Sequence, residues 1–96
     1  RKALAIESHN IIALANLGTL LLDRGRHAEA IELYERTIEV NPKFVLGWFF
    51  LGNAFQRAGR LNDAERAWRK AVEIEPGLTA AWRNLALLLL ELHDPR

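Results

Sequence analysis

The residues of this chain that could carry out acid–base or metal chemistry do not converge. His9, His27 and His93 are spread over predicted turns and helix ends, and none has a second histidine or a carboxylate at a metal-ligand spacing on one helical face. Cysteine is absent, which excludes a thiolate nucleophile, a thiolate zinc site and a disulfide framework. The sequence also has no glycine-rich phosphate loop and no G-x-S-x-G nucleophile turn. We therefore expect no enzyme activity, no metal and no other cofactor.

The carboxylates are better explained as parts of solvated helix faces than as a catalytic pair. Glutamates and basic residues recur three or four positions apart, as in Glu32 with Arg36 and Glu65 with Arg69. Side chains at this spacing are neighbours on a helix surface and form weak ion pairs.

Residues suited to binding, in contrast, are concentrated in the segment LGWFFLGNAF, Leu46 to Phe55. Side chains advance by about 100° per residue on an α-helix, so this segment has two opposite faces. One face carries Trp48, Leu51, Gly52 and Phe55, and the other carries Leu46, Phe49, Phe50 and Asn53. The first face has the character of a core stripe, which leaves the second face, with two aromatic rings and an amide, for another role.

The composition limits the partners that this second face could bind. The 96 residues are 50% hydrophobic and 26% charged with a net charge of +1, which fits one small globular domain. There is no excess of lysine and arginine to neutralise phosphates, so we expect no nucleic-acid partner. The longest apolar run, Phe44 to Gly52, is far shorter than the about 18 residues of a membrane span, so we expect no membrane insertion. A helical pattern is already running at Arg1, and we expect the chain to be an excerpt from a longer protein.

The elements that would position these residues are revealed by an internal repeat. Equivalent residues recur 34 positions apart, among them Leu17/Leu51, Gly18/Gly52, Gly25/Gly59, Ala30/Ala64 and Pro42/Pro76. Apolar residues at helical spacing predict helices over 11–22 and 30–40 in the first unit. Gly25 and Gly59 fit the turn inside each unit, and Pro42 and Pro76 mark the break before the next unit. No segment alternates with period two for long enough to be a strand, so the predicted fold is all-helical.

These spacings resemble the tetratricopeptide repeat (TPR) family, in which W-x2-L-G-x2-Y is followed by A-x3-F, A and P. The second unit matches this pattern with Trp48, Leu51, Gly52, Phe55, Ala64, Trp68, Ala71 and Pro76. The first unit matches it with Leu14, Leu17, Gly18, Leu21, Ala30, Tyr34, Thr37 and Pro42. The resemblance implies a right-handed α-α superhelix, or solenoid, of helix pairs. It also implies that this single TPR segment has four parts. Residues 1–10 are the tail of a preceding repeat, with Ser8 in place of proline, and residues 11–44 and 45–78 are two repeats. Residues 79–96 are the first helix of a further, truncated repeat.

The resemblance also implies a function and a site. Family members act as non-catalytic protein–protein interaction scaffolds, and the first helix of each repeat lines a concave groove that holds a peptide segment of a partner. Carried over by position, the peptide-binding residues are Ile12, Asn16, Thr19, Phe49, Phe50, Asn53, Arg83, Asn84 and Leu87. Further positions of the same face are Ala15, Leu22, Leu46, Gln56, Arg57, Ala80 and Leu90.

Asn16 and Asn84 occupy the position at which some family members have a ladder of asparagines that hydrogen-bond a peptide backbone. Phe50 replaces the middle member of that ladder. The carboxylate clamp of chaperone-binding members is not expected, because its positions hold Ala15, Thr19, Phe50, Ala80 and Asn84.

Three alternatives remain at this point. Phe49 or Phe50 could pack between repeats, and the asparagines could be solvated. The last helix could associate with a second copy through Leu85, Leu88 and Leu92 to give a homo-oligomer. The segment could also be the targeting arm of a larger enzyme.

Overall fold

The computed structural model describes the backbone of residues 2–92 and the side chains of residues 11–92. Within this range the chain forms α1 (Lys2–Asp23), α2 (His27–Val40), α3 (Val45–Arg57), α4 (Leu61–Ile74) and α5 (Thr79–Leu92). No strand occurs among these residues, which confirms the all-helical prediction. His93 lies outside the described residues, as do the side chains of Ser8 and His9.

The turns inside the two helix pairs depend on glycine. Gly25 and Gly59 have φ values of 79° and 80°, in the left-handed region where a Cβ is unfavourable. The N–H of Arg26 donates to the carbonyl of Leu21 at 2.9 Å, and that of Arg60 donates to the carbonyl of Phe55 at 2.8 Å. This six-residue closure around a left-handed glycine is the Schellman motif, which satisfies carbonyls left without partners at a helix end.

The breaks between helix pairs depend on proline. α2 ends at Val40 and α4 ends at Ile74, and the capping residues Asn41 and Glu75 that follow them are extended, with φ of −139° and −133°. The residue before a proline is pushed out of the helical region by the proline ring, which explains why both helices end there. The indole N–H of Trp48 then donates to the carbonyl of Pro42 at 2.8 Å, and that of Trp82 donates to Pro76 at 2.7 Å.

The first helix has no such break. α1 runs over 22 residues without interruption and includes the boundary after residue 10. Ser8 stands where the other repeats have proline, and a serine keeps the N–H that a helix requires. The assignment of residues 1–10 to a preceding repeat therefore stays a prediction, and no helix end marks that boundary.

Within each pair, the second helix inserts an aromatic ring into the first helix at a glycine. Tyr34 and Trp68 are fully buried. A Cβ added to Gly18 would lie 2.8 Å from Cε1 of Tyr34, and one added to Gly52 would lie 2.3 Å from Nε1 of Trp68. The predicted core stripe of α3 is buried at Leu51, Gly52 and Phe55. This packing leaves the other side of α3 to face away from its own partner helix.

The outer surfaces carry ion pairs of the predicted kind. Arg69 contacts Glu65 at 2.9 Å, as its four-residue spacing indicates, whereas the predicted pair of Glu32 with Arg36 is not among the described ion pairs. Such exposed pairs contribute little to stability. None of the described helices combines the length and the apolar character needed to span a membrane.

Candidate peptide-binding groove

The aromatic pair of α3 is anchored on one side and open on the other. The ring of Phe50 stacks on Tyr34 with centroids 5.8 Å apart and an interplanar angle of 30°. Phe49 lies 5.5 Å from Phe50 at 54°, and both rings are half-buried against the core. Each ring thus has a structural contact and a remaining solvent-facing part, so neither is sealed inside the packing between repeats.

Thr19 and the buried Tyr34 connect α1 to these rings. The Thr19 hydroxyl donates to the carbonyl of Ala15 at 3.1 Å and lies 2.8 Å from the Tyr34 hydroxyl. Because the single proton of Thr19 is used on Ala15, Tyr34 is the donor in the second bond. Burial raises the pKa of the Tyr34 phenol, which keeps its proton available for that bond. Thr19 therefore holds Tyr34 in place.

Two asparagines join α3 to α5. Nδ2 of Asn84 donates to Oδ1 of Asn53 at 3.3 Å, and both residues are half-buried. Asn16 on α1 is exposed. The amide contact that forms is thus between Asn84 and its neighbour on α3, while Phe50 separates this pair from Asn16.

The remaining predicted residues are open to solvent. Ile12 is 61% exposed and Leu87 is 58% exposed, and Asn16 and Arg83 are exposed as well. Contacts run from Thr19 through Tyr34 to Phe50, and from Asn53 to Asn84, so one surface connects α1, α3 and α5. We call this surface the concave face; its predicted members are Ile12, Asn16, Thr19, Phe49, Phe50, Asn53, Arg83, Asn84 and Leu87.

Two expectations about individual positions were wrong. Ala15 and Leu22 are 5% and 6% exposed, so they belong to the core rather than to the groove lining. Leu85 and Leu88 are 4% and 0% exposed, because α5 already packs on α4, and they offer no surface to a second copy. Leu92 is half-buried, and the large apolar side chains that α5 does expose are Trp82, Leu87 and Leu90.

Tyr34 lies buried beneath the concave face, where it contacts Thr19 and Phe50, and the sequence analysis identified it only as a residue of the repeat pattern. A tyrosine buried in a core needs a partner for its hydroxyl. The threonine at position 19, next to the Gly18 that receives the ring, is the signal that could have revealed the contact.

Comparison with known proteins fits this arrangement of helix pairs. The tetratricopeptide repeat family matches residues 15–78 and 51–95. A TPR repeat-containing protein of Pseudomonas aeruginosa is 38% identical over 97 residues, covering 99% of this chain and 92% of that protein. The chain belongs to the tetratricopeptide repeat family.

Other similar proteins are matched over different shares of their own length. The peroxisomal targeting signal receptor of Kluyveromyces lactis is 32% identical over 74% of this chain, which corresponds to 12% of that receptor. The second TPR of Spaghetti (RPAP3), solved with the HSP90 peptide SRMEEVD, superposes with a TM-score of 0.85 at 18% identity, covering 96% of this chain and 84% of that chain. MamA superposes with a TM-score of 0.79 at 24% identity, covering 81% and 46%.

These similarities confirm the predicted right-handed solenoid of TPR helix pairs. A TPR solenoid is generally a non-catalytic scaffold for protein interaction, and this chain is a TPR scaffold for protein interaction. Among the side chains of residues 11–92, no three histidine, aspartate or glutamate residues are grouped so as to hold a metal ion.

Proposed function

We propose that this TPR scaffold binds an apolar peptide segment of a partner protein along its concave face, over Phe49 and Phe50. The observation that carries the proposal is the aromatic pair, which is anchored on Tyr34 yet half-open at the centre of a surface joining α1, α3 and α5. Fully burying a phenylalanine is worth about 1.5–3 kcal/mol, so covering the open part of both rings supplies roughly that amount.

Polar groups beside the rings would set the register of the peptide. Asn84 uses one amide N–H on Asn53, and the pair still has a carbonyl on Asn84 and amide N–H groups on Asn53 with no other described hydrogen bond. An extended peptide offers both N–H and C=O groups, which these amides can match. Arg83 is exposed next to Asn84 and suits a carboxylate on the peptide.

The peptide complexes of related folds support a groove of this kind. The first and second TPRs of Spaghetti (RPAP3) superpose with TM-scores of 0.83 and 0.85, and both were solved with an HSP90 peptide. The apolar character here favours an apolar segment over a C-terminal carboxylate, since alanine, threonine and phenylalanine stand at the clamp positions Ala15, Thr19 and Phe50.

The test is a titration of a fluorescent 12-residue peptide selected from a displayed library against the chain. We expect Ile12→Ala and Leu87→Ala each to weaken binding about tenfold, because both side chains are more than half exposed at predicted groove positions of α1 and α5. Because both side chains are exposed, we expect both variants to fold as the wild type does, and circular dichroism checks this.

Leu17→Ala is the matched control, since Leu17 is 46% exposed on the same helix as Ile12 but points about 140° away from it. If Leu17→Ala weakens binding as much as Ile12→Ala, or if neither groove variant has an effect, the peptide does not occupy the concave face.

A second candidate function, association with another copy, is favoured by a different observation. Trp82 is 49% exposed and Leu90 is 71% exposed on α5, and apolar exposure of this size promotes contacts between molecules. We propose that these two residues, rather than Leu85 and Leu88, would form the contact. Sedimentation of the wild type and of Leu90→Lys over a range of concentrations tests it; a monomer throughout rules it out.

A further inference from the structure

A second cleft lies on the opposite side of α3 from the concave face. It has a volume of about 340 Å³. Residues of α2, α3 and α4 line it, namely Glu35, Ile38, Trp48, Leu51, Phe55, Asp63, Arg66 and Ala67. Its floor is the stripe Trp48, Leu51 and Phe55, which is separated from Phe49 and Phe50 by the helical geometry of α3. We call it the outer cleft.

The floor of the outer cleft is apolar and fixed in orientation. The indole N–H of Trp48 is held by the carbonyl of Pro42, and the guanidinium of Arg60 lies 4.6 Å from the ring centroid of Phe55. Small binding sites in proteins have volumes from about 300 Å³ upward, so the outer cleft fits one or two side chains and not a whole helix.

The two walls differ in charge. On the α4 wall, Asp63 is bonded to both Arg60 and Arg66, which neutralises its carboxylate and lowers its pKa. On the α2 wall, Glu32, Glu35 and Glu39 are exposed along one face, and none belongs to a described ion pair. Two arginines beside one aspartate leave the α4 wall with a net charge of +1, whereas the glutamates place negative charge along the α2 side of the apolar floor.

We infer that the outer cleft is a second docking site of this scaffold, for a partner segment in which a large apolar side chain is flanked by lysine or arginine. The apolar side chain covers the floor of Trp48, Leu51 and Phe55. The cation lies against Glu35, with Glu32 and Glu39 attracting the segment before contact. The site is independent of the concave face, so one scaffold could hold two segments at once.

The test uses a labelled helical peptide with leucines on one face and lysines on the other, and a control peptide with glutamate in place of every lysine. We expect the lysine peptide to bind the wild type, and Glu35→Lys to weaken it at least tenfold. Glu35 is exposed, so this variant should fold normally. Glu91→Lys makes the same change of charge at an exposed position of α5 and should leave the affinity unchanged.

The indole N–H signals in an NMR titration locate the peptide. We expect the signal of Trp48 to move while that of Trp82 does not, because Trp82 makes the same bond to its proline outside the outer cleft. Equal binding of the glutamate peptide, no binding of the lysine peptide, or a static Trp48 signal would overturn the inference. If Ile12→Ala and Leu87→Ala weaken the lysine peptide and Glu35→Lys does not, the peptide occupies the concave face; the outer cleft is then excluded and the proposed function survives.

Discussion

The two complete helix pairs solve the same packing problem with different aromatic residues. In the pair α1–α2 the inserted ring is that of Tyr34, which packs against Gly18. In the pair α3–α4 it is that of Trp68, which packs against Gly52. Tyr34 directs its hydroxyl to Thr19 on the concave face, whereas the indole N–H of Trp68 donates to the backbone carbonyl of Phe49 at 3.0 Å. The inserted ring of the first pair is thus bonded to a side chain of the concave face. The inserted ring of the second pair is bonded to the backbone of its own repeat.

The largest predicted effect distinguishes the two glycine positions. A Cβ at Gly52 would lie 2.3–2.7 Å from three atoms of the buried indole, and one at Gly18 would lie 2.8–3.2 Å from three atoms of the Tyr34 ring. Overpacking lowers the free energy of unfolding by about 1–3 kcal/mol, and the higher helix propensity of alanine offsets up to about 1 kcal/mol of that loss. In urea unfolding we expect Gly52→Ala to lose about 2 kcal/mol and Gly18→Ala about 1 kcal/mol.

The control for this pair is Gly77→Ala. A Cβ at Gly77 meets nothing within 4 Å, and its φ is not positive, so no loss of stability is expected. Equal losses for Gly52→Ala and Gly18→Ala would show that both helix pairs accommodate an added Cβ equally well. That result would contradict the closer approach of Trp68 to Gly52.

An intermediate effect tests the link between Tyr34 and Thr19. Tyr34→Phe keeps the ring over Gly18 and removes the hydroxyl, so we expect a loss of about 1 kcal/mol in the free energy of unfolding, the usual net worth of one hydrogen bond. A double-mutant cycle with Thr19→Val measures the coupling. Additive losses would mean that the 2.8 Å contact contributes nothing specific.

The smallest effect compares the turns of the two pairs. Asp63 contacts Arg60 and Arg66, whereas its counterpart Glu29 contacts Arg26 alone at 3.3 Å. The hydrogen bonds from Arg66 and Arg60 lower the pKa of Asp63, so its contribution to stability is present above about pH 4 and is lost as the pH falls through the lowered value. We expect thermal unfolding of Asp63→Asn to show a weaker dependence on pH below 4 than the wild type. If the melting temperature of Asp63→Asn falls with pH in parallel with that of the wild type, the prediction is contradicted. Glu29→Gln makes the equivalent change in the turn of the first pair.

Much of the fold could be predicted because its signals are local. The left-handed turns need Gly25 and Gly59, and the breaks need Pro42 and Pro76, whatever surrounds them. The continuity of α1 was not predicted, although Ser8, unlike a proline, does not interrupt a helix. The concave face was predicted less completely. The exposure of its residues Ile12, Asn16, Arg83 and Leu87 agrees with the pattern. The bonds of Thr19 to Tyr34 and of Asn84 to Asn53 were not predicted, because they join residues 15 and 31 positions apart.

The sequence alone determined the period of the repeat, the C-terminal ends of the helices at the glycine and proline turns, and the family, because these signals lie within a few residues of one another. Only the tertiary structure decided which equivalent positions are covered. Leu17 and Leu51 occupy the same place in their repeats, yet they are 46% and 3% exposed. Burial depends on which neighbouring helices approach a side chain, and that arrangement is a property of the whole stack.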